Sequence, residues 1–155
     1  MATPDFVLAL RAKIGHDPLW LSGVSAVVLR GDEVLLVRRA DNGAWTPVTG
    51  IIDPGEQPAI AAERETLEEA GIVARADALC WVQVTDEVRY ENGDRSRYID
   101  LVLCCSYVSG DPYPVDGENS AVAWFRLDAL PELSPNMRER VRVAVEFDGM
   151  TRFER

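Results

Sequence analysis

The sequence predicts an α/β (α+β) fold in which a mixed β-sheet lies between helices. Three observations predict it. Apolar segments of strand length lie on both sides of one well-bounded central helix. A helical pattern lies near each end of the chain, and an Asn-Gly turn joins two long strand segments. Because elements in this order bury their apolar faces best in layers, we expect helices to cover the sheet.

The first predicted element is a short amphipathic helix over residues 3–14. Thr3 suits the N-cap, Pro4 suits the first helical position, and Gly15 suits the stop. The apolar stripe of this helix would consist of Phe6, Leu10 and Ile14.

Strands are predicted between this helix and the central one. Residues 25–30 and 33–39 are rich in Val and Leu, and the Gly31-Asp32 pair between them is a hairpin signal. Trp45 to Gly50 predicts a further short strand that leads into the central helix.

The central helix carries its own boundaries and a row of carboxylates. Pro58 fits its first position, and Gly71 fits the position just past its end. Residues at i, i+3 and i+4 share one helix face, and here they are Glu65, Glu68 and Glu69. The opposite side carries Ile60, Leu67 and Ala70, so we expect that side to pack on the core.

After the central helix the pattern returns to strands. Strand regions cover residues 72–90 and 95–109, and the turn between them has the sequence Glu-Asn-Gly-Asp. Residues 111–119 predict a loop, and 121–127 predict a strand. A last helix over 135–147 would begin at Ser134-Pro135, with Met137, Val141 and Val145 directed inward.

The three glutamates of the central helix predict a bound cation. Like charges at this spacing repel one another and weaken an isolated helix. Hard carboxylate oxygens suit Mg²⁺ or Mn²⁺, which proteins usually hold with few ligands and complete with water and substrate phosphates. An ordinary solvated acidic helix is the alternative, but it leaves the spacing of the neighbouring Gly, Glu and Arg positions unexplained.

Residues 50–72 resemble the Nudix box, whose pattern is G-x5-E-x7-R-E-U-x-E-E-x-G-U with U a bulky apolar residue. The matching positions are Gly50, Glu56, Arg64, Glu65, Glu68, Glu69, Gly71 and Ile72. Thr66 departs from the first U position, although its methyl group can still pack. Gln57 stands where family members often carry a Ser or Thr cap, so the helix start is weaker here.

This resemblance implies the α/β/α sandwich of the family and a catalytic activity. The family hydrolyses a nucleoside diphosphate linked to another group X, with water attacking phosphorus, so positioned metal ions are the main requirement. The implied metal ligands are Glu65, Glu68, Glu69 and the carbonyl of Gly50. Arg64 would hold Glu56 or Glu65 in orientation, because its fork of donors suits carboxylates.

The general base and the substrate contacts stay open at this point. A box glutamate, Glu65 or Glu68, is one candidate base; Glu118 in the 111–119 loop is the other, and Asp116 is a weaker rival. Aromatic and basic side chains that would contact the substrate are Trp45, Tyr90 and Arg97, with Trp20 and Tyr98 as further stacking candidates. Nucleoside triphosphates, ADP-ribose, dinucleoside polyphosphates and nucleotide sugars all remain open as substrates.

Length and composition limit the classes of function that this sequence can have. The 155 residues suit a single domain spanning 1–155. A net charge of −10 disfavours long nucleic acids, although it permits a small phosphorylated substrate when divalent ions are bound. There is no apolar run of membrane-spanning length and no secretory signal, and the three cysteines suit a reducing cytoplasm. The resemblance is compatible with a homodimer.

Two non-catalytic interpretations remain at this stage. One is a Nudix-like module that binds a nucleotide as a sensor, although such modules typically lose box glutamates and this sequence retains them. The other is a purely structural cation site, which predicts stabilisation by metal without turnover.

Overall fold

A mixed β-sheet with helices on both faces forms the body of the protein. The computed structural model describes residues 3–115 and 117–155, so Asp116 lies outside the described residues. The helices are α1 (Asp5–Ile14), α2 (Pro58–Ala70) and α3 (Pro135–Val145). The strands are β1 (Leu19–Arg30), β2 (Glu33–Arg39), β3 (Trp45–Thr46), β4 (Val48–Ile51), β5 (Val73–Val84), β6 (Val88–Arg89), β7 (Arg95–Ser109), β8 (Asn119–Arg126) and β9 (Arg152–Phe153).

Strand β1 organises the sheet. It runs parallel to β7 and pairs antiparallel with both β2 and β4. The main path of the sheet is β3-β2-β1-β7-β5-β9, with β8 paired to β2 and β6 to β7. Because β4 lies against β1 and leads directly into α2, the start of the box is anchored to the centre of the sheet.

The two faces of β1 belong to two separate hydrophobic cores. Val24, Ala26 and Val28 face α2, together with Ile72 and the alanines of that helix. Val27 faces the opposite way, into the core formed with α3. This alternation is the period of an extended strand, and it confirms the predicted mixed sheet between helices.

The predicted ends of α2 are confirmed, while those of α1 are partly wrong. Pro58 is the first residue of α2, and Gly71 ends it in the left-handed region with φ 68°. Helix α1 begins at Asp5 with Pro4 as its cap, rather than with Thr3, and no side chain caps it. The buried residue of α1 is Val7, whereas Leu10 in the predicted stripe is exposed.

The predicted orientation of α2 is right for Ala70, which is buried, and wrong for the other two residues of the predicted core side. Ile60 and Leu67 were expected in the core, yet they are 54% and 51% exposed. Glu65 and Glu69 are buried instead. The side of α2 that meets the sheet carries the small residues Ala61, Ala62 and Ala70. Small side chains let the helix approach the sheet closely, and this approach places Glu65 against Gly50 of β4 and Glu69 against Asn119 of β8.

Several strand boundaries also differ from the prediction. Strand β1 begins at Leu19, six residues before the predicted start at 25. Pro47 divides the expected 45–50 strand into β3 and β4, because proline has no N–H for the ladder. The predicted 72–90 region is likewise two strands, β5 and β6, and β8 begins at Asn119.

The C-terminal helix is confirmed with one change. The side chain of Ser134 caps α3 by accepting a hydrogen bond from the backbone N–H of Met137. Val141 is buried as expected, whereas Val145 at the end of the helix is exposed. No helix of the described chain is long and apolar enough to cross a bilayer.

Candidate active site

The site is built where the backbone of β4 meets the first buried glutamate of α2. Gly50 pairs with Val24 of β1, and the side chain of Glu65 lies directly over it. A Cβ atom added at Gly50 would come within 2.2 Å of the Cδ atom of Glu65. Only glycine permits this approach, so the glycine of the box is required by packing.

Arg64 joins the loop before α2 to the carboxylates of the helix. Its Nε and Nη2 atoms donate to the two oxygens of Glu56, each at 2.8 Å. Its Nη1 atom donates to Glu65 at 2.9 Å and to Glu68 at 3.2 Å, while Nη2 also reaches the carbonyl of Ile51 at 3.3 Å. The guanidinium therefore contacts both carboxylates suggested for it, and it ties the loop to the helix.

Glu56 and Glu65 lie side by side but have opposite electrostatic environments. Two hydrogen bonds from Arg64 hold the pKa of Glu56 below its usual value, and the backbone N–H of Asp53 adds a third bond. Burial raises the pKa of Glu65 to about 7, although Arg64 opposes the shift. The charges of Glu69 and Glu68 raise it further.

Glu65 also carries an oxygen for which the described residues supply no hydrogen-bond partner. Its side chain is fully buried, Oε1 accepts from Arg64, and Oε2 is unpaired. Buried carboxylate oxygens are normally satisfied, since an unpaired one loses its hydration without compensation. This unpaired oxygen suits a hard cation such as a divalent metal ion.

The other two box glutamates differ in exposure. Glu69 is buried, and its Oε2 accepts a hydrogen bond from Nδ2 of Asn119 at 3.1 Å. The Glu68 side chain is half exposed and points toward Arg64. Among the described residues, no three Asp, Glu, His or Cys side chains already surround a common point as metal ligands. Oxygen donors are available on this helix face, but Glu68 must turn away from Arg64 to join the others.

Asn119 is a site residue that the sequence pattern missed. It is the first residue of β8 and is buried against Glu69. The only signal in the sequence was its position next to the candidate Glu118.

The loop before β8 packs against the end of α2. The backbone N–H groups of Tyr113 and Val115 donate to the carbonyls of Ala70 and Glu69. Glu118 is exposed, and its carbonyl accepts a hydrogen bond from the N–H of Ala40. Glu118 therefore immediately precedes Asn119, the residue that donates a hydrogen bond to Glu69.

The structure does not gather the three predicted substrate contacts into one cluster. Tyr90 shares a hydrogen bond between hydroxyl groups with Tyr98, and burial raises its pKa above the ordinary value. The Trp45 ring packs edge-on against Phe125 with centroids 4.8 Å apart. Arg97 is exposed on β7, where side chains alternate, so it lies on the opposite face of the sheet from Tyr98.

Arg39 connects the Tyr90 region with the carboxylates. Its hydrogen bonds with Asp41 are the main cause of its raised pKa. The negative charge of Glu69 contributes as well, and Arg39 in turn lowers the pKa of Tyr90, so Arg39 lies within electrostatic reach of both residues. Tyr90 is thus the predicted substrate contact that shares an electrostatic environment with the box.

Comparison with known proteins identifies the family. The family model of the NUDIX domain matches residues 20–145. The chain belongs to the Nudix hydrolase family. The predicted family and enzyme class are confirmed. Hydrolases of this family act on pyrophosphate bonds in nucleotide-linked substrates and generally use divalent metal cations.

Related Nudix proteins carry different names. A MutT-like protein of Streptomyces ambofaciens is 35% identical over 135 residues, which cover 85% of this chain and 80% of that protein. The NAD-capped RNA hydrolase NudC of Pseudomonas aeruginosa is 32% identical over 122 residues, covering 77% of this chain. The aligned part is only 41% of the length of that relative.

A solved Nudix structure shows the same fold. The crystal structure of an ADP-ribose pyrophosphatase from Streptococcus suis superimposes with a TM-score of 0.64. The match covers 86% of this chain and 98% of that one, at 23% sequence identity. At this identity the likeness concerns the fold.

Proposed function

We propose that this protein is a Mg²⁺-dependent (or Mn²⁺-dependent) hydrolase of a nucleoside diphosphate linked to another moiety X, in which water attacks phosphorus. The observation that carries the proposal is the unpaired, fully buried Oε2 atom of Glu65 on the glutamate face of α2. A cation beside this oxygen would restore the interaction that burial removed.

The residues proposed to hold the metal fit its chemistry. Glu65, Glu68, Glu69 and the Gly50 carbonyl supply the hard oxygen donors that Mg²⁺ and Mn²⁺ prefer. A divalent ion bound there would polarise the phosphoryl oxygens and activate a water molecule. The absence of a side chain at Gly50 leaves its backbone open to Glu65, which supports the assignment.

Arg64 is proposed as a positioning residue. Its bidentate pair with Glu56 holds the loop before α2, and its bond to Oε1 of Glu65 leaves the second oxygen of that carboxylate unpaired. Arg64 also contacts Glu68, so this guanidinium neutralises carboxylates that would otherwise repel each other.

The proposed general base is a carboxylate, either a box glutamate or Glu118. Glu65 is one box candidate, because its buried Oε2 atom has no hydrogen-bond partner among the described residues and can accept a proton. Glu118 is exposed next to Asn119, and it remains the alternative. Glu68 is the other box candidate, because its half-exposed side chain is accessible to water.

The proposed substrate contacts are Tyr90, Trp45 and Arg97. Tyr90 has the strongest support, because it shares the electrostatic environment of Arg39 and Glu69. Trp45 keeps a partly exposed ring despite its packing on Phe125. Arg97 has an exposed guanidinium that suits phosphate or ribose oxygens.

A nucleotide-sensing module without turnover is the alternative function. Retention of every box glutamate favours the enzyme, as do relatives named hydrolases and pyrophosphatases. We further propose that residues 1–155 act as one domain in the cytoplasm, as a monomer or a homodimer, on a small substrate rather than on long nucleic acid. The strands β1 to β9 of the described residues belong to one sheet, which supports the single domain.

A substrate panel tests the proposal. Nucleoside triphosphates, ADP-ribose, dinucleoside polyphosphates and nucleotide sugars are incubated with enzyme and Mg²⁺, and released phosphate or nucleotide is measured. Because some relatives are named for NAD-capped RNA, a capped oligonucleotide and free NAD belong in the panel. We expect metal-dependent cleavage of at least one small substrate; binding without cleavage across the panel would support the sensor instead.

A further inference from the structure

An open cavity lies beside the loop that precedes α2. Its volume is about 460 Å³, within the range of small-molecule binding pockets. The walls come from α1, from the start of β1 and from loop residues 52–56 with Pro58. One wall includes Glu56, whose carboxylate is held by Arg64. The cavity is therefore bordered by the loop of the box, but the glutamate face of α2 does not line it.

Trp20 lines this cavity and differs from the other tryptophans. Each of the others packs against a second ring or an arginine; they are Trp45, Trp81 and Trp124. Trp20 is 59% exposed, and it takes part in none of the ring or cation–π contacts within residues 3–115 and 117–155. An indole ring left open to a cavity offers a flat surface on which a nucleobase can stack.

Arg97 lies directly beside Trp20 and also lacks a partner. The two residues are paired across the parallel strands β1 and β7, so their side chains share one face of the sheet. Elsewhere in the described chain each arginine contacts a carboxylate, a carbonyl or an aromatic ring, whereas Arg97 makes no such contact with the described residues. Its five N–H donors are therefore available to a ligand.

Leu101 connects these two residues with the cavity. It follows Arg97 by four positions on β7, so it faces the same way, and it forms part of the cavity wall. Ser22 of β1, two residues after Trp20, lines the cavity as well. The Trp20 ring therefore belongs to the cavity wall, and Arg97 lies at its border, on the same sheet face as Trp20 and Leu101.

We propose that this cavity binds the nucleoside part of the substrate, with the base stacked on Trp20 and the adjoining phosphate contacted by Arg97. This assignment rests on the proposed function, because it takes the substrate to be a nucleotide. The occupant is a single nucleoside moiety, since the volume suits a base with its ribose and the free cation suits a neighbouring phosphate. Glu56 in the cavity wall places this subsite next to the box loop.

The test is direct binding measured without turnover. ADP and UDP, and adenosine as the probe without phosphate, are titrated by calorimetry in the presence of chelator. We expect Trp20→Ala and Trp20→Leu to weaken binding of the nucleotides by about tenfold or more, and Trp20→Phe by about threefold or less. Arg97→Ala should weaken ADP by about fivefold or more and leave adenosine within about twofold.

Two matched controls lie away from the cavity. Phe153→Ala removes another exposed aromatic ring, and Arg75→Ala removes another exposed arginine. Both should bind ADP as the unmodified protein does. Melting curves check that each variant folds, and Trp20→Leu keeps the test valid if the alanine variant unfolds.

Specific outcomes overturn the subsite. It is wrong if the unmodified protein binds neither ADP nor UDP at millimolar concentration, or if folded Trp20 variants bind them normally. With an identified substrate, Trp20→Ala should raise KM and leave kcat nearly unchanged; a fall in kcat alone contradicts the proposal. If nucleotide binding depends on Trp20 but the protein hydrolyses no substrate, the subsite is supported and the proposed function is refuted. The two failures are therefore distinguishable.

Discussion

Polar clusters with buried members lie on both sides of strand β1, and they differ in whether the hydrogen bonding of their buried atoms is complete. The cluster on the α3 face contains Ser25, Gln83, Asp100, Asn136 and Arg140. The cluster on the α2 face contains the Arg64 guanidinium and the carboxylates around it. Strand β1 lies between the two clusters, so the difference between them comes from their side chains and not from different parts of the fold.

The cluster beneath α3 is closed. Asp100 accepts from Ser25 at 3.0 Å and from Gln83 at 3.2 Å, and it lies 3.4 Å from Nη1 of Arg140. Arg140 in turn donates to Ser25 and to Asn136. None of its buried side-chain atoms lacks a partner. A complete network of this kind holds β1, β5, β7 and α3 together, and it has no position left for a ligand.

The cluster beneath α2 is open. Arg64 neutralises Glu56 and part of the charge on Glu65 and Glu68, but Oε2 of Glu65 stays buried and unpaired. The difference teaches that burial of charge alone does not mark a functional site. An unsatisfied buried acceptor is the stronger indication, because a bound cation would replace the hydration that burial removed.

The largest expected effect comes from removing the cation that would complete the open cluster. Excess chelator should lower hydrolysis by about three orders of magnitude or more, and added Mg²⁺ or Mn²⁺ should restore it. A thermal shift supplies a second measurement, because Mg²⁺ should stabilise the unmodified protein more than Glu65→Gln. Full turnover in chelator would show that the open cluster needs no metal.

Next in size is the neutralisation of one proposed metal ligand. Glu68→Gln should lower kcat by about a hundredfold or more while circular dichroism stays unchanged, because its half-exposed side chain contributes little to packing. Glu146→Gln is the matched control, since it neutralises an exposed glutamate at the end of α3. Near-normal turnover in Glu68→Gln would reject this ligand.

Breaking the closed cluster should affect stability and not chemistry. Arg140→Ala leaves Asp100 buried without its cation, so we expect the free energy of unfolding to fall by about 3–5 kcal/mol in urea titrations. Arg138→Ala, which changes an exposed arginine on the same helix, should have little effect. If Arg140→Ala abolished turnover in protein that remained folded, the two clusters would not be separable.

The charge of Glu65 should make the metal-free protein less stable as pH rises. Its pKa of about 7 in the folded protein lies above the ordinary value near 4.3, so its ionised form is disfavoured by folding. The contribution of neutral Glu65 to the free energy of unfolding is fully present below pH ~4 and is lost as the pH rises through ~7. Glu65→Gln should therefore stabilise the metal-free protein by about 1–3 kcal/mol at pH 8 and by about 1 kcal/mol or less at pH 5.

Urea titrations at the two pH values, with chelator present, measure this difference. The stabilisation of Glu65→Gln should disappear once Mg²⁺ is added to both proteins, because the ion compensates the ionised carboxylate. An equal effect of the substitution at both pH values would contradict the raised pKa.

The smallest effect is expected from Glu118. Its side chain is exposed, whereas the Glu65 side chain is buried beside the proposed metal site. We expect Glu118→Gln to lower kcat by about tenfold at most and to leave the acid limb of the pH–rate profile in place. Disappearance of that limb would instead assign the general base to Glu118.

The sequence by itself determined the local features of the site. The spacing from Gly50 through Glu56 to Arg64 and the box glutamates identified the family without any coordinates. Pro58 and Gly71 marked the ends of α2, because missing N–H groups and left-handed backbone are local requirements. Apolar runs and turn residues likewise predicted the layered sheet and both terminal helices.

Only the tertiary structure decided which side of α2 is buried. Hydrophobicity favoured Ile60 and Leu67, yet close packing against the sheet selected the alanines beside Glu65 and Glu69. The contact of Asn119 with Glu69, and the pairing of Trp20 with Arg97, likewise join residues that are distant in the chain. Helix periodicity describes one element at a time, whereas burial depends on the distance between elements, and that distance is set by side chains on both of them.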